Sequence, residues 1–170
     1  MTVQEAAALL RGKDQILILT HRRPDGDTIG SAAGLCIALR QLGKTAYVLP
    51  NPDVTDINRI YAEGCWAPED FAPEFVVSVD IAARQLFYPE AEAYLPRVDL
   101  AIDHHPSQEF FARETCLEAN RAACGEIIYA ICRELGEITK EVALPLYAAV
   151  ATDTGCFVYA NTTANTHRVA

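Results

Sequence analysis

The sequence predicts an α/β fold in which a mostly parallel, five-stranded sheet is flanked by helices on both faces. Short apolar runs alternate with helical patterns, and right-handed βαβ connections join such runs into a parallel sheet. Acids and histidines follow several of these runs, as expected where ligands bind at the carboxyl ends of parallel strands. A length of 170 residues fits one domain, 1–170.

The strands are predicted from short apolar runs bounded by polar turns. Four such runs lie at 16–20, 45–49, 75–79 and 100–102. A fifth strand is expected at 115–117. The stretch 64–73 is expected to be a loop.

Helices are predicted between these strands. They are expected at 3–11, 28–42, 56–62, 84–94, 124–135 and 141–150. Gly43 is a stop signal for the second helix. Pro145 lacks an amide N–H and is expected to interrupt or kink the last one. Gly30 is expected to allow close helix–strand packing, because no complete phosphate-binding glycine loop surrounds it.

Composition and charge narrow the class of protein. Apolar residues make up 51% of the chain and charged residues 22%, as in ordinary globular proteins. A net charge of −9 argues against binding of long nucleic acid, which requires a basic face, but is compatible with small anionic substrates. No apolar run approaches the ~20 residues of a membrane span, no secretory signal is evident, and a cytoplasmic location is expected. The six cysteines form no CxxC pair and are expected to be reduced.

The loop HRRPDGD after the first strand carries His21, Asp25 and Asp27. Pro24 and Gly26 bend the backbone, so the two carboxylates can face different directions and serve adjacent metals. The alternative is a turn whose aspartates cap the following helix, and capping is the stronger rival for Asp27. The combination of His21 with two acids favours a metal site.

Further donors follow other elements. Asp80 comes after FVVSV, and Asp103, His104 and His105 close the fourth strand. Asp153 follows a predicted helix rather than a strand. Carboxylate oxygens with imidazole nitrogens suit Mn²⁺, Fe²⁺ or Zn²⁺. Each acid alone could be a loop or cap residue; together they predict one metal cluster at the edge of the sheet.

Several arginines could contact phosphate, because a guanidinium matches phosphate oxygens bidentately. Most are expected to be ordinary surface residues. Arg84 is the strongest candidate, since it is expected one helical turn after Asp80.

The segments HRRPDGDTIGS, SVD, IDHH and ATDTGCF together resemble the DHH phosphoesterase family, in all four motifs and in their order. The resemblance covers essentially the whole chain. The ending TDTGCFVYANTT is most similar to the branch of oligoribonucleases (nanoRNases) that also dephosphorylate 3′-phosphoadenosine 5′-phosphate.

The resemblance implies a site with two Mn²⁺ ions bridged by Asp80. His21 and Asp25 complete the first ligand set. The second set is Asp27, His104 and Asp153. His105 is implied to contact the substrate phosphate or to stabilise the transition state, and Asp103 to support the catalytic groups by orienting a histidine.

Members of this branch also carry a second, substrate-holding domain with a Gly-rich motif, which has no counterpart among these residues. The chain is therefore expected to be a catalytic domain from a longer protein. Short oligonucleotides or nucleotides are the expected substrates, and a homodimer is left open. Two alternatives remain: hydrolysis of cyclic di-AMP, linear dinucleotides or pyrophosphate, and a non-catalytic module that binds metal or nucleotide.

Overall fold

The predicted sheet is present and entirely parallel. The computed structural model describes residues 1–170. Its strands are β1 (Ile16–Leu19), β2 (Ala46–Val48), β3 (Phe75–Val79), β4 (Leu100–Asp103) and β5 (Glu114–Leu117). Their order across the sheet is β2-β1-β3-β4-β5, and every neighbouring pair is parallel. The expected fold class is confirmed.

Seven α-helices surround the sheet. They are α1 (Val3–Arg11), α2 (Gly26–Gln41), α3 (Asp56–Arg59), α4 (Pro89–Glu92), α5 (Cys124–Leu135), α6 (Lys140–Asp153) and α7 (Ala164–Val169). Short 3₁₀ turns occupy Ile60–Ala62, Arg84–Leu86 and Leu95–Arg97. None of the helices is long and apolar enough to cross a membrane.

One helix prediction was wrong, and of the interruption or kink expected at Pro145 the interruption is not found. The helix expected at 84–94 is replaced by a 3₁₀ turn, the four-residue α4 and a further 3₁₀ turn. Tyr88 is extended and Pro89 begins α4, because proline is tolerated in the first helical turn but not inside a helix. In contrast, α6 is not interrupted, and Pro145 lies inside it.

The sheet is buried on both faces because β1 and β3 supply apolar side chains in alternate directions. Ile16 and Ile18 belong to the larger apolar cluster, which the helices α1, α2 and α5 complete. Leu17 and Leu19 belong to a smaller cluster, which the segment around α4 covers. A fully buried Ile or Leu contributes about 1.5–3 kcal/mol through burial, so both faces of β1 stabilise the domain.

Close packing of α2 against α6 determines where the end of α6 lies. A Cβ atom on Gly30 would collide with the carbonyl oxygen of Pro145 and would lie 2.9 Å from the Cβ of Ala149. Gly30 therefore permits helix–helix contact, and the expected helix–strand packing was wrong. The contact brings the carboxyl end of α6, where Asp153 lies, to the beginning of α2.

The order of the strands creates a switch point between β1 and β3. The chain leaves β1 toward β2 and returns on the other side as β3. In open parallel sheets the crevice at such a point, beyond the carboxyl ends of the strands, is the usual ligand site. At this edge His21, Asp25 and Asp27 follow β1, Asp80 follows β3, and His104 and His105 follow β4.

Candidate metal centre

The first group of donors joins the loop after β1 to the end of β3. Nε2 of His21 lies 3.6 Å from Oδ1 of Asp25 and 3.6 Å from Oδ2 of Asp80. Oδ1 of Asp25 also accepts the amide N–H groups of Asp27 (3.0 Å) and Thr28 (3.1 Å), so Asp25 is the N-cap of α2. Asp25 therefore caps α2 and also belongs to the donor cluster.

The second group joins α2, β4 and α6. Nε2 of His104 lies 3.8 Å from Oδ2 of Asp27 and 3.6 Å from Oδ2 of Asp153. Asp27 does not cap its own helix: its carboxylate accepts the amide N–H groups of Cys124 (2.7 Å) and Gly125 (2.9 Å). These amides begin α5, where the helix dipole favours a negative charge.

Asp80 lies between the two groups. Its Oδ2 faces His21, while its Oδ1 lies 3.5 Å from Nε2 of His104. The residue is 3% exposed and has φ of 59°, in the left-handed region that aspartate tolerates better than most residues. The turn directs the side chain of Asp80 toward both histidines. The structure therefore presents one carboxylate oxygen to each group of donors.

Asp103 is fully buried and orients His105. Its Oδ1 lies 2.8 Å from Nδ1 of His105 and accepts the amide N–H groups of His104 and His105. Its Oδ2 accepts a hydrogen bond from Nε2 of Gln108 (2.8 Å), which also donates to the carbonyl oxygen of Ile81. Nδ1 of His105 lies 3.5 Å from Oδ1 of Asp80. Asp103 and His105 therefore lie next to the two groups of donors.

Sequence reasoning missed Gln108, which carries no signal in a single sequence because its role depends on a contact that forms only in the fold. Arg84 was a candidate for phosphate contact. Its guanidinium donates to Glu109 at 3.2 Å, and it lies in a 3₁₀ turn rather than one helical turn after Asp80. A contact between Arg84 and phosphate stays a prediction.

The carboxylates of the cluster raise the pKa values of its histidines. Burial alone lowers the pKa of His21, but the carboxylates of Asp25 and Asp80 outweigh it and raise that pKa to about 10. Burial and the carboxylates of Asp80 and Asp27 oppose each other in the same way at His104, whose pKa rises to about 9.

The acids show the complementary effect. Burial, with the negative charges of Asp80 and Asp153, raises the pKa of Asp27 well above its usual value. Partial burial is the largest cause of the raised pKa of Asp153. So many carboxylates at one edge repel each other, and positive charge at the cluster relieves that repulsion.

Two buried atoms in the cluster have no hydrogen-bond partner: Oδ1 of Asp80 and Nε2 of His104. Buried polar atoms without partners are uncommon. The donor pairs are 3.5–3.8 Å apart, longer than hydrogen bonds. Two ligands that are each 2.0–2.2 Å from one cation are about 3–3.5 Å apart. The donor pairs, at 3.5–3.8 Å, lie at this separation or slightly beyond it, and imidazole nitrogen with carboxylate oxygen is a donor set that fits a transition-metal cation.

A protein-family model matches the part of the chain that carries most of these donors. The model of the DHH family, N-terminal domain, matches residues 15–150. The chain belongs to the DHH family. The match includes His21, Asp25, Asp27, Asp80 and the Asp103–His105 segment, and it ends three residues before Asp153.

Two curated relatives carry the same description. The bifunctional oligoribonuclease and PAP phosphatase NrnA of Thermus thermophilus is 35% identical over 160 residues, which is 91% of this chain and 48% of the relative. The protein of that description from Bacillus subtilis is 26% identical over 167 residues, 92% of this chain and 51% of the relative. The chain thus spans about half the length of the curated relatives it matches.

Solved structures show the same fold. An exopolyphosphatase-related protein from Bacteroides fragilis superposes with a TM-score of 0.84 at 24% identity, over 98% of this chain and 54% of the other. A putative family II inorganic pyrophosphatase from Methanococcus jannaschii gives a TM-score of 0.59 at 20% identity, over 91% and 53%. At this level of identity the likeness concerns the fold alone.

Proposed function

We propose that this DHH domain is the catalytic part of a metal-dependent phosphoesterase. The expected substrates are short oligoribonucleotides and the 3′-phosphate of 3′-phosphoadenosine 5′-phosphate. The observation that carries the proposal is the placement of Asp80, whose two oxygens face the two separate groups of nitrogen and oxygen donors. The descriptions of the two curated relatives support the class of substrate.

The proposed ligand sets follow this geometry. His21, Asp25 and Asp80 would hold one cation, and Asp27, His104 and Asp153 the other, which Asp80 joins through its contact with His104. Imidazole with carboxylate suits Mn²⁺, and also Fe²⁺, Co²⁺ or Zn²⁺, and Mn²⁺ is our choice from the family resemblance. When bound, two such cations activate a water molecule and stabilise the attacking and leaving oxygens of an in-line displacement.

The remaining residues position and stabilise the phosphate. The hydrogen bond to Asp103 is the largest cause of the raised pKa of His105, so the imidazolium form is favoured. The side chain of His105 is 43% exposed, which leaves it accessible to a substrate at the edge of the sheet. Protonated His105 can donate to a phosphate oxygen as negative charge develops there, while Asp103 holds the ring in place.

Hydrolysis of pApA and of 3′-phosphoadenosine 5′-phosphate with added Mn²⁺ tests the proposal. We expect Asp80→Asn to lower turnover by at least about 100-fold, since substitutions outside the ligand shell already cost about 10–100-fold and this one weakens both ligand sets at once. Asparagine tolerates the left-handed backbone of this position, so the variant is expected to fold. Asp70→Asn, in an exposed loop, is the matched control.

Retained turnover in Asp80→Asn would remove the basis of the assignment. Cleavage of cyclic di-AMP or pyrophosphate, but of neither proposed substrate, would move the assignment to those reactions. Mn²⁺ binding without hydrolysis of any of them would make the chain a non-catalytic module. Because the chain spans about half of its relatives, we propose that a further domain holds the substrate. A longer protein containing this domain is therefore the second sample.

A further inference from the structure

A hydrogen bond to the backbone orients the ring of His104. Nδ1 of His104 lies 3.2 Å from the carbonyl oxygen of Arg121. An N–H at Nδ1 that donates to this oxygen leaves the lone pair of Nε2 directed at the carboxylates of Asp27, Asp80 and Asp153. The position of the Arg121 carbonyl therefore determines how His104 meets a cation.

The side chain of Arg121 is held by two carboxylates. Its Nε donates to Glu118, and its Nη1 lies 3.7 Å from Oε2 of Glu126. The amide N–H of Arg121 also donates to the carbonyl oxygen of Glu118 (3.0 Å). The turn that carries the carbonyl is thus fixed both by its backbone and by its side chain.

Glu126 is the unexpected member of this network. Its side chain is fully buried in the first turn of α5, and it does not belong to the donor groups of the metal centre. A buried carboxylate is costly unless its oxygens are paired. Oε2 accepts a hydrogen bond from Asn165 (2.6 Å) and Oε1 accepts one from Thr166 (2.7 Å), and both donors lie in α7.

A second contact joins the same part of the chain to the other end of the site. Nδ2 of Asn161 donates to the carbonyl oxygen of Asp153 (3.0 Å) and to that of Ala122 (3.1 Å). Asp153 is a candidate ligand, and Ala122 follows Arg121. Residues 161–166 therefore contact the segment of Asp153, which faces Nε2 of His104, and the segment of the Arg121 carbonyl, which faces Nδ1.

We propose that Glu126 is a positioning residue of the metal centre, through which the docking of α7 sets the affinity of the His104 ligand group for its cation. Glu126 holds Arg121, Arg121 holds the ring of His104, and the donors from α7 hold Glu126. The inference rests on the metal site of the proposed function. It adds that the cation affinity of the His104 group, and not that of the His21 group, depends on α7, a helix outside the metal centre.

Titration with Zn²⁺ at fixed pH tests the proposal. The imidazole ¹⁵N signals of His21 and His104 report the two groups separately. Partners outside the ligand shell typically alter metal affinity 10–100-fold. We expect Glu126→Gln to weaken binding at His104 about tenfold, with binding at His21 unchanged. Glu134→Gln, an exposed acid of the same helix, is the control and is expected to match the unmodified chain.

Two results would overturn the proposal: Zn²⁺ binding at His104 that Glu126→Gln leaves unchanged, or an equal loss at both histidines, which indicates general damage to the fold. If Glu126→Gln does not fold, Asn165→Ala keeps both Glu126 and Arg121 and removes one donor. We expect it to weaken binding at His104 about threefold, and an unchanged affinity refutes the inference.

The titration needs no substrate, so the two proposals can fail separately. If the chain binds Zn²⁺ at both histidines and responds to Glu126→Gln, while neither it nor a longer protein containing this domain hydrolyses any substrate, the proposed function alone would be overturned. A chain that hydrolyses its substrates while Glu126→Gln leaves His104 unaffected would overturn this inference alone.

Discussion

Metal binding by this domain is expected to release protons. Metal-free His21 and His104 have pKa values of about 10 and about 9, because carboxylates surround both rings. Both are therefore protonated at pH 7.5, and each must lose a proton before Nε2 can bind a cation. Each raised pKa favours the protonated, metal-free form below that pKa, so affinity falls as the pH is lowered.

The size of this pH dependence follows from the loss of one proton by each histidine when a cation binds. The affinity of each ligand group is expected to rise about tenfold per pH unit while its histidine is protonated, and so between pH 7 and 8.5 for both. The rise ends near pH 9 for the His104 group and near pH 10 for the His21 group. Protons on Asp27 or Asp153, whose pKa values are also raised, would add to the release.

Isothermal titration with Mn²⁺ in buffers of different ionisation enthalpy measures the protons released. At pH 7.5 we expect about two per chain at saturation. His21→Asn, at saturating Mn²⁺, is expected to release about one fewer and serves as the internal control. Binding heats that do not depend on the buffer, or an affinity that is flat between pH 7 and 8.5, would refute the reasoning.

Two further substitutions test the packing and the support of the site. Gly30→Ala places a methyl group against the carbonyl oxygen of Pro145 and should lower the free energy of unfolding by about 1–3 kcal/mol, measured by urea denaturation. Gly12→Ala, whose new methyl group would have no atom closer than 3.5 Å, is the control and should not destabilise the domain. Equal stability of the two variants would contradict the close packing of α2 on α6. Gln108→Leu leaves Oδ2 of Asp103 unpaired and should lower turnover more than Mn²⁺ affinity; a loss of affinity alone would contradict its placement beside His105.

The strands and most of the donors could be predicted because their signals are local. A short apolar run followed by an acid or histidine predicts both a strand and a residue at its carboxyl end, as at Asp80 and His104. The sheet then brings these ends together. The DHH family resemblance could be recognised for the same reason, since three of its four motifs are the turns after these strands; the fourth, around Asp153, lies at the end of α6.

Features that depend on long-range contacts could not be predicted. The segment 84–94 has helical composition, and Pro89 is a local signal against one continuous helix, but the packing of Phe87 and Tyr88 on the second face of the sheet has no local signal. Capping of its own helix was the alternative for Asp27, yet its carboxylate accepts the amide at the start of α5, 97 residues later. No spacing in the sequence marks such a contact.

The same carboxylate of Asp27 has a consequence for folding. It contacts the beginning of α5 and also lies among the donors, so the closing of that helix on the sheet and the completion of the centre are one event. The candidate ligands come from segments as far apart as His21 and Asp153, and a pair of cations that shares Asp80 would cross-link these segments. Each bound cation would stabilise the native state by RT ln(1 + [M]/Kd), so the free energy of unfolding is expected to rise with the concentration of free metal.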